Sequence, residues 1–238
     1  MKKFKYLLLF LNACIYSLSF AGDIPTSSRA EKSIQNTEAT LKKELAVKGL
    51  EYGSPIFIRI FKDPGILEVW LESDSGSFVN FKTYDICTFS GNLGPKLKEG
   101  DYQSPEGFYF VNASQLNPWS KFHLSFNLGY PNKYDREHGR TGSALMVHGD
   151  CVSIGCYAMT DNYMDEIYSL SVAALKEGQP FFRVHSFPFH LDTNTLDKHK
   201  SNQWYPFWKN LKEGFDHFNK YRKPPNVEVI NGLYVFER

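Results

Sequence analysis

Residues 147–159 read VHGDCVSIGCYAM, one histidine, one aspartate and two cysteines at the end of an apolar run. Three chemistries suit such a grouping: a metal clip, a disulfide, or an acylating thiol with its base. A metal is the poorest fit. His148, Cys151 and Cys156 would supply three ligands, but His-x2-Cys-x4-Cys lacks the paired spacing of structural zinc sites. A thiol attacks a carbonyl as the thiolate and therefore needs a base beside it. A strand ending at His148, a loop, and a return at Cys156 would bring imidazole and sulfur together. Gly155 lets the backbone turn sharply, and the consecutive N–H groups of Gly155, Cys156 and Tyr157 can hold an oxyanion. A buried structural cysteine stays open beside this reading.

The flanks set the compartment. Residues 1–21, MKKFKYLLLFLNACIYSLSFA, carry three lysines, a short apolar core and a small-residue close at Ser19-Phe20-Ala21. This is the pattern of a cleaved secretory signal, too short to span a membrane. Leu11-Asn12-Ala13-Cys14 offers a rival lipoprotein box, with an unusually short apolar stretch before it. Cleavage removes Lys2, Lys3 and Lys5 and takes the formal charge from +1 to −2. A chain so nearly neutral lacks the basic face that nucleic acid requires. Cys87, Cys151 and Cys156 would remain, an odd count that suits one bridge and one free thiol in an exported protein.

Hydrophobic periodicity organises the remainder as a mixed α+β, β-rich chain. Residues 22–53 form a helical N-terminal segment, with Ile34, Leu41, Leu45 and Leu50 at helical spacing, read as a packing helix or a tether. IFIRIFKD (56–63) and ILEVWLESD (66–74) alternate apolar with polar around the turn Asp63-Pro64-Gly65. FVNFKTYDICTFSG (78–91) reads as a third strand region, and 92–107 as largely loop before a strand at Phe108–Val111. Residues 117–142 are aromatic, polar and irregular, the texture of a functional loop. SALMVHG (143–149) is a buried strand, Thr160 or Asp161 caps a helix ending at Gly178, and PFFRVHSF (180–187) is a further strand. Residues 185–238 add an aromatic helix and a hairpin about Asn231-Gly232 that pack on the domain.

VHG…SIGCYAM resembles the catalytic motif of the L,D-transpeptidases, the YkuD-like cysteine enzymes of bacterial cell walls, written HG followed by S-H-G-C-[IV]-R. The likeness extends to SGNLGPKLKEGDYQSPEGFYFV (90–111), which holds the family's S/T-P-x-G-x-[FY] element, and to YDREHGRTGSALMVHG (134–149). These forms, with WYPFWKNLKEGFDHF near the end, are similar to the YafK-like subgroup, over roughly residues 54–184 as a catalytic domain. The resemblance implies a β-sandwich catalytic domain with flanking helices and its thiol in a groove under a mobile loop. It makes Cys156 the nucleophile, His148 the base and the Gly149 carbonyl the group that orients the imidazole, with Ser153 and Gly155 matching the motif. Two positions depart from it: Ile154 replaces the second histidine and Ala158 the arginine. Arg140 or Arg136 would take over the substrate's carboxylates, the alternative being a loop arginine paired with Asp135 or Glu137.

The implied reaction is acyl transfer at the L-centre of the third residue of a peptidoglycan tetrapeptide stem. An amine acceptor gives a cross-link or an attached protein; water gives hydrolysis, including release of a wall-attached lipoprotein. It needs no cofactor and takes place in the periplasm. A wall-binding or regulatory protein that keeps the fold but has lost turnover is the alternative. Cys87 and Cys151 are the favoured disulfide, worth on the order of 4 kcal/mol by loop closure. A Cys151–Cys156 redox pair, or free thiols, are the alternatives. His123, His138, His185 and His190 read as structural or surface residues, His138 lying beside the expected groove, and Asp150 as a loop carboxylate.

Overall fold

The structure is a computed structural model and describes residues 23–236. The signal at 1–21 and the box at Cys14 lie outside the described residues. The first helix, α1 (Ser28–Val47), starts where the Ser27 side chain accepts from the Ala30 amide. A meander follows of β1 (Ile56–Phe61), β2 (Ile66–Glu72) and β3 (Phe78–Asp85). Next come β4 (Thr88–Phe89), β5 (Gly107–Val111), β6 (Leu116–Asn117), β7 (Ser125–Asn127) and a short helix, α2 (Lys133–Glu137). Then β8 (Met146–His148), β9 (Tyr157–Ala158) and α3 (Asp161–Lys176) lead into β10 (Phe182–Phe187). The chain closes with α4 (Thr193–Asp197), α5 (Tyr205–Tyr221) and the hairpin β11 (Val227–Ile230) and β12 (Leu233–Phe236).

Two five-stranded sheets result, ordered β3-β2-β1-β10-β5 and β4-β9-β8-β7-β6. Pairing is antiparallel except at β1–β10 and β8–β9, which are parallel. Ile56, Ile58 and Ile60 of β1 share one core with Phe126, Val147 and Tyr157 of the second sheet and with residues of α1 and α3. A β-rich α+β sandwich, as expected from the sequence, is what the chain forms. Thr160 caps α3 by accepting from the Tyr163 amide, and α3 packs along α1.

The other face of the first sheet is largely covered. Phe57, Arg59 and Phe61 alternate with the isoleucines and lie under α5 and the hairpin, and all of β1 is buried. Arg59 breaks the apolar run, yet its guanidinium meets Glu68 Oε2 at 2.8 Å and lies 4.9 Å from the Phe218 ring. The alternation in IFIRIFKD therefore marks two buried faces, the second covered by the C-terminal helix. The expected third strand divides at Cys87. β3 belongs to the first sheet and β4 to the second, and Cys87 bonds to Cys151 in the loop between β8 and β9.

One charged pair lies wholly inside. Lys62, just after β1, meets Glu106 Oε1 at 3.0 Å with both side chains 0% exposed. Glu106 also accepts from the Gly94 amide at 2.7 Å and from Trp208 Nε1 of α5 at 2.9 Å. Burial pulls the Lys62 ammonium below its ordinary range, while the Glu106 charge opposes that pull. Glu106→Ala removes the counter-charge of the ammonium, which keeps only the Asn92 and Gly94 carbonyls, and strands two N–H donors. Urea unfolding is therefore expected to show a loss of about 3–5 kcal/mol. A loss below about 1 kcal/mol would mean that Lys62 finds another partner or sheds its proton.

Candidate active site

The parallel pairing of β8 with β9 builds the site. Val147 lies opposite Tyr157 and His148 opposite Ala158, and continuing that register sets Met146 opposite Cys156. The Met146 amide donates to Cys156 Sγ at 3.4 Å. Side chains alternate between faces along a strand, so Cys156 and His148, two positions out of step, project from the same face. Two residues of rise and one strand spacing separate their Cα atoms by about 8 Å.

His148 is 2% exposed. Its Nδ1 meets the Gly149 carbonyl at 2.5 Å, and since a carbonyl only accepts, Nδ1 carries the proton and Nε2 the lone pair. The Phe122 ring covers the imidazole, with centroids 4.8 Å apart. Burial pulls the imidazole below its ordinary 6.5, against the Gly149 carbonyl and Asp150, which favour its charged form. Burial pushes the Cys156 thiol above its ordinary 9.0, against the Met146 N–H and the charge of Lys96. The resting pair is thus a neutral thiol and a neutral imidazole. In this state the thiol donates to the Ala144 carbonyl at 3.6 Å, and no hydrogen bond joins it to His148.

The loop between the two strands is fixed by serines. Ser153 Oγ donates to the Cys156 carbonyl at 2.8 Å, accepts from the Gly155 amide at 3.2 Å and meets Ser90 Oγ at 2.7 Å. Ser104 Oγ donates to the same Cys156 carbonyl at 3.0 Å. Gly155 sits at φ +147°, a backbone closed to residues with a Cβ. Gly149 is needed for space: a Cβ there would lie 2.5 Å from Asp161 Oδ1 and 2.8 Å from the Cβ of His123. The Cys87–Cys151 disulfide anchors the loop's other end and leaves Cys156 as the free thiol among the described residues. The alternative Cys151–Cys156 pair is not formed. With Cys151 bonded to Cys87, the three-residue metal set is dissolved.

Several residues expected at the substrate are used elsewhere. Arg140 is buried in an ion pair with Asp135 at 2.8 Å, its guanidinium 5.0 Å from the Tyr134 and Phe207 rings, so it has no face to offer a substrate. Arg136 is exposed on α2 and donates to the Pro131 carbonyl, on the element that packs against the C-terminal hairpin. The Ser153 hydroxyl has spent its one donor and both lone pairs inside the loop. For the oxyanion, the Gly155 amide is engaged by Ser153, and Tyr157 is paired with Phe89 on one side and Val147 on the other. Asp150 is exposed at φ +58°, its amide held by Asp161 Oδ1 at 2.8 Å. His138 stacks on Tyr134 beside the hairpin and away from the thiol. His190 stacks on Phe61.

Phe122, Ser104 and Lys96 were not expected at the site. The irregular texture of 117–142 pointed to the first in general terms, and the SPEG element holds the second. Nothing local marks Lys96, which is 4% exposed and paired with Asp101 at 2.5 Å.

A family model described as the L,D-transpeptidase catalytic domain, YkuD, matches residues 72–181. The Escherichia coli (strain K12) protein "Putative L,D-transpeptidase YafK" is 42% identical over 234 residues, 98% of this chain and 91% of that protein. The same values hold for its counterpart in Escherichia coli O157:H7. Among solved structures, the helical cell shape determining protein Pgp2 from Campylobacter jejuni aligns with a TM-score of 0.45 at 18% identity, over 79% of each chain. Bdellovibrio bacteriovorus Bd1075 aligns with a TM-score of 0.40 at 17% identity, over 75% of this chain and 78% of that one. With its β8–β9 site and a full-length relative at that identity, the chain belongs to the YkuD family of L,D-transpeptidase catalytic domains.

Proposed function

We propose that the protein is an exported cysteine enzyme that acts on peptidoglycan tetrapeptide stems through a thioester on Cys156. The observation that carries this reading is the parallel register of β8 and β9, which sets Cys156 and His148 on one face. The Gly149 carbonyl, holding the Nδ1 proton, aims the Nε2 lone pair as the base. The signal-like 1–21 segment supports export, and so does the disulfide, which persists in oxidising compartments.

Rotation of the cysteine side chain away from Ala144 turns Sγ towards the imidazole. As sulfur attacks the carbonyl at the L-centre of the third stem residue, Nε2 takes the thiol proton. Of the three amides in the turn, we assign that of Cys156 to the oxyanion, because Gly155 and Tyr157 are otherwise engaged. Collapse breaks the amide bond, and the imidazolium returns its proton to the departing amine. An incoming amine or water then attacks the thioester, gives its proton to Nε2, and restores the thiol. Transfer and hydrolysis, release of a wall-attached protein included, differ only in which nucleophile arrives. Ala158, buried where the motif has arginine, favours a second reading, a wall-binding or regulatory protein with little turnover.

Incubation with purified tetrapeptide muropeptides, read by mass spectrometry, is expected to show altered stems. Cys156→Ala should abolish the change, and His148→Gln should lower kcat/KM by about 10²–10⁴. Identical products with and without the thiol would rule out this catalysis, and unaltered stems throughout would favour the second reading.

The pH dependence follows from the two displaced groups. His148 protonates only below its ordinary 6.5, so kcat/KM should hold down to that pH and fall beneath it. Alkylation of Cys156 by iodoacetamide should climb with pH to beyond 9.0, because the thiol is raised. A rate flat from neutral pH downwards into the acid range would reveal a resting thiolate–imidazolium pair instead.

A further inference from the structure

On the outer face of the first sheet, the cover provided by α5 and the C-terminal hairpin is incomplete, and a cavity of about 410 Å³ opens between β5, β10 and the hairpin. That volume falls in the range of roughly 300–1,000 Å³ occupied by small-ligand sites. The strand register explains its lining. Arg183 and His185, two apart on β10, project from one face, with Phe110 opposite Arg183 and Phe108 opposite His185 on β5. His185 forms the floor. It is 1% exposed, and its Nδ1 finds no hydrogen-bond partner among the described residues. Burial, with Arg183 and Arg59 nearby, holds this imidazole neutral, so it offers one N–H and one lone pair.

Arg183 stands beside that floor. It donates to Asn226 Oδ1 at 2.6 Å and lies 5.1 Å from the Phe181 ring, and no carboxylate pairs with it among the described residues. Lys133 and Glu228 also line the cavity, leaving one net positive charge on its wall. Phe110 is 55% exposed at the mouth, its centroid 5.4 Å from that of Phe181, so two aromatic surfaces adjoin the guanidinium.

We propose that this cavity binds a small ring-bearing carboxylate. The ring lies on Phe110 and Phe181, the carboxylate takes the free edge of the Arg183 guanidinium, and a hydroxyl or amide of the ring meets His185. Two sources present this chemistry: a carboxylated amino sugar and an aryl acid. The site is separate from Cys156 and does not depend on thioester chemistry.

Ligand-observed NMR and calorimetric titration of the full chain test it, with N-acetylmuramic acid and 4-hydroxybenzoate as probes. N-acetylglucosamine and phenol serve as their counterparts without a carboxylate. Saturable binding of at least one acid is expected, with the counterparts at least tenfold weaker. Which acid binds identifies the source. Arg183→Gln and Phe110→Ala should each weaken binding at least tenfold, and the second change is at an exposed position that leaves the fold intact. Cys156→Ala should bind as the parent does, whatever the outcome with muropeptides. Absence of saturation by either acid at concentrations on the order of 10 mM, equal binding of the counterparts, or binding unmoved by both substitutions would overturn the proposal.

Discussion

A single buried carboxylate joins the parts of this protein that must stay in register. Glu106 accepts from Lys62 at the end of β1, from the Gly94 amide in the loop before β5, and from Trp208 of α5. Taking two charges to 0% exposure is expensive, and such a pair is seldom a net source of stability against an apolar replacement. What it supplies is position. Three donors of fixed direction converge on one group, so the loop, the sheet and the C-terminal helix can meet in one way only. The adjoining residues carry that constraint to the site. The Pro105 carbonyl accepts from Tyr157 Oη at 2.6 Å, and Ser104 holds the Cys156 carbonyl. The backbone of Cys156 is thereby fixed from β9 and from the Glu106 loop at once.

The two departures from the family motif fall in opposite environments. Ile154 is 77% exposed at the tip of the loop, where the missing imidazole leaves the His148–Gly149 pairing untouched. Ala158 is fully buried in β9 between β4 and β8, and an arginine there would need a path out of the ladder. Cationic character near the sulfur comes from elsewhere, since Lys96 is the charge that draws the thiol downwards. Its ammonium is held by Asp101 and by the Lys98 carbonyl at 3.0 Å.

Periodicity and capping made most elements legible. Leu41 and Leu45 face inwards on α1, Thr160 caps α3, and Asn231-Gly232 turns the last hairpin with both residues at positive φ. The β8–β9 return was also readable, because Gly149 and Gly155 bracket it. Partners distant in the chain were not. Arg59 reads as a solvent-facing residue until α5 covers it. Arg140 reads either as a ligand for the substrate's carboxylates or as a loop arginine paired with Asp135 or Glu137. The fold takes the second, on Asp135, and adds the distant Phe207 ring that sequence does not show. Ser153 matches a motif, yet its capacity is consumed by Ser90, Gly155 and Cys156, partners that only folding brings together. Local sequence reports which groups are present; which of them remain unspent is decided by tertiary contacts.

The N-terminal helix illustrates the same point, because its sequence allowed either a tether or a packing element. Arg29 of α1 donates to the carbonyls of Ser120 and His123 at 2.8 and 2.6 Å, and Ser27 donates to that of Pro118 at 2.8 Å. Ser33 donates to Asp165 Oδ1 at 2.6 Å, the oxygen that also meets His123 Nε2 at 2.6 Å. These contacts hold the segment that lays Phe122 over the His148 imidazole and packs His123 against Gly149. Water reaching that ring would stabilise its charged form, so the cover contributes to keeping His148 neutral, with its lone pair unprotonated. A helix outside the span matched by the family model thus closes the wall behind His148, which makes α1 part of the site's construction.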